Sequence, residues 1–169
     1  MKTLGFVLST ILLLATLAFA QSEAQSSFDK LKALEGQWEG TLTTSPPTPE
    51  VDGKTVQVWL RVTSLGNALM HEMKVAGRPD DPITMLYVDG DRLFLTHYCD
   101  AGNRPRMVGK MAPDAKTIAF DFLDLSGSKE HGYMQKAAFT AIDPDHHVEE
   151  WTFGSEGKGV RAHLDLHKK

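Results

Sequence analysis

From Gly36 to Leu166 the chain breaks into short runs in which apolar and polar residues alternate, each closed by Gly, Pro, Asn or Asp. A period of two sends successive side chains to opposite faces, the pattern of a strand that buries one side only. Residues 55–63 show it most cleanly: Val56, Val58, Leu60 and Val62 oppose Gln57, Trp59, Arg61 and Thr63. Residues 67–76 set Leu69, His71, Met73 and Val75 against Met70, Glu72 and Lys74. Residues 36–43, 83–88, 93–99, 104–107, 117–123, 136–142, 148–153 and 159–166 complete the series. Asp89-Gly90 is a hairpin turn signal, and the proline-rich stretch 45–53 is a loop.

No segment in this region is helical over enough length to carry a parallel crossover, so the sheet is expected to be antiparallel. Some ten strands in one open sheet would leave two unpaired edges, and closure removes both. The predicted fold is therefore all-β: a single antiparallel up-and-down barrel of about eight to ten strands, wide enough to hold one small ligand. A two-sheet sandwich is the competing architecture. A short N-terminal helix is expected to begin at Ser26-Ser27-Phe28-Asp29, with Phe28, Leu31 and Leu34 on one face and Gly36 ending it. Residues 21–26 read as a polar lead-in. Two turns of helix do not stand alone in water, so that face should lie over the barrel's end.

Residues 1–20 read as an address rather than as fold. Lys2 precedes an apolar run from Leu4 to Ala18, and Ala18-Phe19-Ala20 fits a small-x-small cleavage site. The run is short for a membrane span. The expectation is a signal peptide over 1–20, one barrel domain over 21–169, and an exported protein, periplasmic or secreted. The formal net charge of −4 and the lack of a basic block give no electrostatic footprint for nucleic acid or an anionic membrane. No stable membrane insertion is expected, and the oligomeric state is open. Cys99 is the single cysteine, so no disulfide within one chain supports the core.

The opening of the strand region, Leu34-x-Gly36-x-Trp38-x-Gly40 after a short helix, resembles the start of calycin barrels: lipocalins, fatty-acid-binding proteins and nitrobindins. The nearest resemblance is to exported bacterial lipocalin-like domains of unknown function. It implies that Trp38 plugs the barrel base with its indole N–H on a carbonyl, while Gly36 and Gly40 allow the bend and a close backbone approach. Nitrobindins bind haem through a late histidine and isomerise peroxynitrite, which makes haem the one candidate cofactor. The late histidine on a strand here is His163, and alternation with Val160, Ala162 and Leu164 turns it outward if those face inward. Fatty-acid-binding proteins hold a carboxylate with a late Arg and Tyr; Arg161 is present without a Tyr two residues on.

No complete catalytic or metal motif is present, so whether the protein is an enzyme stays open, with binding favoured over reaction. His97 and Cys99 share one strand face but stand roughly 6.5 to 7 Å apart, too far for one to activate the other. A metal would need further ligands such as His71, Met73 or Met107. His71, His97, Glu150 and Asp121 are the acid–base candidates, and His146-His147 is expected to face solvent at a turn. Arg92, Arg104 and Arg106 are of the type that holds a carboxylate or phosphate, and more often such residues pair with neighbours, here Asp89, Asp91 and Asp100, in a solvated turn. The ligand-binding candidates are His71, Met73, His97, Tyr98, Arg106 and Trp151, a few polar contacts in an otherwise apolar cavity. The predicted function is to bind a small, mostly apolar molecule inside the barrel. The rivals are a haem-dependent isomerase and a side-chain-filled barrel acting through its surface.

Overall fold

The computed structural model of the protein describes residues 21–155 and 158–169. The signal peptide expected over 1–20 and residues 156–157 lie outside the described residues. A helix, α1 (Glu23–Lys32), is followed by ten strands: β1 (Gly36–Ser45), β2 (Lys54–Thr63), β3 (Ala68–Val75), β4 (Ile83–Asp89), β5 (Arg92–Tyr98), β6 (Arg104–Met111), β7 (Thr117–Ser126), β8 (Tyr133–Asp143), β9 (His146–Ser155) and β10 (Lys158–Lys168). Each strand pairs antiparallel with its chain neighbours, and β10 returns to pair with β1. The result is a closed up-and-down barrel, not a sandwich. No described helix is long and apolar enough to cross a membrane.

The helix starts earlier than the sequence suggested. Ser22 is the N-cap, its Oγ accepting from Gln25 N at 3.1 Å. Ser22-x-x-Gln25 is itself a capping pattern, and it lies in the stretch read as a lead-in. Ala24, Ser27, Phe28 and Leu31 form the buried face of α1, which packs on β2, β4, β5 and β6 across one end of the barrel. Lys30 Nζ adds a bond to the Ala115 carbonyl in the β6–β7 turn.

Trp38 is 1% exposed, and its Nε1–H donates to the Leu34 carbonyl at 2.8 Å. A Cβ on Gly40 would come within 1.7 Å of the Asp165 carbonyl oxygen on β10, so only glycine permits that strand contact. Above Trp38 the closed half is packed with Leu60, Leu69, Leu86, Leu93, Ile118, Phe120, Phe139 and Leu166.

Candidate functional site

The inward residues of β9 run His147, Glu149, Trp151, Phe153 from the α1 end toward the open end. Glu149 is fully buried and accepts three N–H groups. His71 Nε2 and Trp151 Nε1 reach Oε2 at 2.9 and 3.0 Å, and His147 Nε2 reaches Oε1 at 3.0 Å. A carboxylate can only accept, so both imidazoles present an N–H at Nε2. Burial by itself raises the Glu149 pKa; the His71 charge and the bonds from His147 and His71 outweigh it and hold the group below the usual range. With three donors in place, Glu149 is an anchor for three side chains rather than a free base.

His97 stands above this network. Its ring lies 5.6 Å from that of Trp151, which in turn lies 5.5 Å from His71. Thr84 Oγ1 and His97 Nδ1 are hydrogen-bonded at 2.8 Å, leaving Nε2 as the ring atom available to a guest. That atom donates if the Thr84 hydroxyl donates to Nδ1, and accepts in the other tautomer. Burial, and then the charge of His71, lower the His97 pKa to about 4, so the ring is neutral at pH 7.

Over His97 the barrel is hollow. A cavity of about 780 Å³ opens at the end away from α1. Leu42, Val51, Met73, Val75, Met134 and Phe153 supply much of its apolar wall, and His97 lies among the lining residues. The hollow half exists because its inward positions carry modest side chains, such as Ala162 and Val160, where the other half carries Trp38, Phe120 and Phe139. At the rim Arg78 Nε bonds Asp80 Oδ1 at 2.7 Å and its guanidinium lies 3.6 Å from Asp100. A second concavity, about 570 Å³, lies outside the barrel between α1 and β6–β7 and touches none of these interior groups.

Of the six residues expected to bind, four are inside. Met73 and His97 line the cavity, while His71 and Trp151 lie beneath it in the Glu149 network. Tyr98 and Arg106 are not brought to them. Tyr98 alternates with His97 and is 49% exposed; Arg106 stands on the outer face, bidentate to Asp124. The expected arginine partners are therefore corrected: Arg106 takes Asp124, Arg104 meets Ser126, and Arg92 lies over the Phe94 ring. The arginine at the cavity mouth is Arg78, which the sequence reading passed over.

Two more placements change. Glu150 and Asp121 point outward, and the interior carboxylate is Glu149. His147, expected in solvent, is fully buried edge-on against Trp38 at 4.2 Å between ring centroids. The signal was in the sequence: Trp151 and Phe153 share the face of Glu149 and His147, and two large aromatics mark an inward face more firmly than Val148 marks the other. Cys99 lies at the cavity wall, its thiol pushed up to about 11 by burial and the neighbouring Asp100. At pH 7 it is a neutral thiol and no nucleophile. His163 faces outward beside Glu150 at 3.8 Å, and Arg161 is exposed, so neither residue carried by the resemblance reaches the interior.

No family model matches the sequence, and no curated protein matches it. Solved structures do share its shape. A protein of unknown function from the DUF3598 family of Nostoc punctiforme superposes with a TM-score of 0.56 at 14% identity, covering 82% of this chain. The chain spans about half of that protein's length (49%). Rv2717c from M. tuberculosis superposes with a TM-score of 0.60 at 15% identity, over 85% of this chain and 97% of that one. At such identities the likeness is one of fold alone: both are barrels.

Proposed function

We propose that this protein is a calycin-like binding protein for a small, mostly apolar molecule bearing one hydrogen-bonding group. The observation that carries this reading is the cavity of about 780 Å³, apolar along its walls and lined at depth by His97. Its size falls among small-molecule pockets, and an apolar enclosure with a few placed polar groups is their usual makeup. The guest enters at the rim of Arg78, Asp80 and Asp100, buries its apolar body against Met73, Val75, Met134 and Phe153, and reaches His97 with its polar atom. A neutral imidazole suits an uncharged carbonyl, ester or hydroxyl better than a carboxylate, because burying an unpaired anion is costly. Glu149 fixes the floor from below by orienting Trp151 and His71. Export by a signal peptide over 1–20 belongs to this reading.

The haem reading has no support in the placement of His163, whose outward face leaves the interior without the late histidine the resemblance would use. The deciding experiment is native mass spectrometry of the protein purified from a bacterial host, with an absorption spectrum of the same sample. A reproducible mass excess of a few hundred daltons without a Soret band is the expected result, and it identifies the ligand class. A Soret band with a haem-sized excess would replace the carrier by the haem reading. Failure of the chain to take up a panel of apolar probes, with no co-purified mass, would sink the carrier.

A further inference from the structure

At the opposite end of the molecule from the cavity mouth, on the outer wall, three ligand-type side chains converge. We infer that His146, Asp165 and His167 form a binding site for a divalent transition-metal ion of the zinc class. His146 and His167 are direct partners across the β9–β10 ladder, and Asp165 lies two residues before His167 on the same outer face. Both imidazoles aim Nε2 at the same atom, Asp165 Oδ1, at 2.8 Å from His146 and 3.4 Å from His167. Their rings stack at 4.3 Å, tilted by 20°, so the two nitrogens look the same way. All three ligand atoms lie within 4.8 Å of one another, and this is the only such group among the described residues.

The spacing is compatible with a metal of this kind. Tetrahedral zinc with bonds of about 2.0 to 2.1 Å sets its ligand atoms about 3.3 to 3.4 Å apart. The His167–Asp165 distance already matches, and His146 needs to open by roughly half an ångström, within reach of one χ adjustment. Two imidazoles and one carboxylate are ligands that zinc accepts, and three protein ligands leave the fourth position to water. Side-chain exposures of 25%, 51% and 65% for His146, Asp165 and His167 leave the ion a way in.

The surroundings favour a cation. Asp143 pairs with His146 across the β8–β9 ladder, and Glu39 on β1 is the partner of His167 on its other side. The nearby cation Lys169 is engaged by Glu39, its Nζ 2.7 Å from Oε2. The backbone is pinned as well: Lys168 N donates to the Asp145 carbonyl at 3.0 Å, which holds the end of β10 against the β8–β9 turn. A bound ion would clip β9 to β10 beside β10's seam with β1, where the barrel closes. The site shares no residue with the cavity and does not depend on the carrier reading.

The test is calorimetric titration of the metal-free chain, purified without an affinity tag, with Zn²⁺. One equivalent is expected to bind, raising the melting temperature by a few degrees as any ligand selective for the folded state does. The His146→Ala/His167→Ala variant should lose at least the roughly 10- to 100-fold in affinity that even supporting residues carry, while its circular dichroism matches that of the parent. Cys99→Ser should bind as the parent does. Imidazole resonances of His146 and His167, and not those of His71 or His97, should shift on Zn²⁺ addition. No uptake by the parent chain, or unchanged uptake by the double variant, would overturn the assignment.

Discussion

His71 on β3 donates through Nε2 to Glu149 Oε2 on β9 at 2.9 Å, joining residues 78 apart in the chain across the barrel interior. A fully buried carboxylate tolerates its position only with compensating donors, and here His71, His147 and Trp151 provide them. The contact ties two distant strands and sets the tilt of the aromatic floor under the cavity.

Glu149→Ala should therefore be among the most damaging single changes. It leaves three buried N–H groups without an acceptor and costs about 3 to 5 kcal/mol, read as a lower urea midpoint. Glu149→Gln keeps one acceptor oxygen and should cost less. A variant at the neighbouring Glu150, which is exposed, should stay within about 0.5 kcal/mol of the parent. If the two positions behave alike, the interior network is misassigned.

His97 and Glu149, both buried, lower the stability in different parts of the acid range. His97 is lowered from 6.5 to about 4, so between those values the unfolded chain binds more protons than the folded one. Stability should fall by about 3 kcal/mol as pH drops through that window, the product of the shift and 1.36 kcal/mol per unit. Glu149 is depressed below 4.5, so its contribution is present above that value and is lost as pH falls below it. Urea unfolding of the parent and of His97→Gln from pH 7 to pH 4 checks the first: the variant should lose that slope.

Filling the hollow half should remove binding without removing the fold. Ala162→Phe places a large ring among Leu42, Val160 and Phe153. It should abolish the fluorescence enhancement of an apolar dye while thermal unfolding remains cooperative. His97→Ala should weaken the native guest by about tenfold, one hydrogen bond's worth, and leave dye binding nearly unchanged. Dye binding that survives Ala162→Phe would place the dye site outside the barrel.

At the base, Gly40→Ala forces a methyl into the Asp165 carbonyl. The expected loss is at least about 1 to 3 kcal/mol, as for other overpacked sites. Trp38→Ala should cost about 3 to 5 kcal/mol by emptying the space between Leu34 and His147. Both are measured by denaturant midpoint. A loss under 0.5 kcal/mol at either position would mean that the opening motif is no plug.

The strands, their antiparallel order and the short helix were written in the sequence, because alternation, turn residues and capping are local; a plugging role for Trp38 was implied only by the resemblance of the opening motif. Residues 55–63 announce β2 without reference to anything else in the chain. The interior chemistry is of another kind. Glu149 and Glu150 differ by one position, and only the register of β9 between β8 and β10 sends the first inward. A register shift between Met134 and Lys136 in β8 sets off Met134 from the Ala137–Phe139 alternation, and no composition rule foretells it. The meeting of His71 with Glu149, and of His146 with His167 and Asp165, exists because the barrel closes and its ladders pair in one register. Side-chain alternation has a memory of two residues; closure relates strands that are far apart in the chain, and it alone decides which of two adjacent side chains finds a partner.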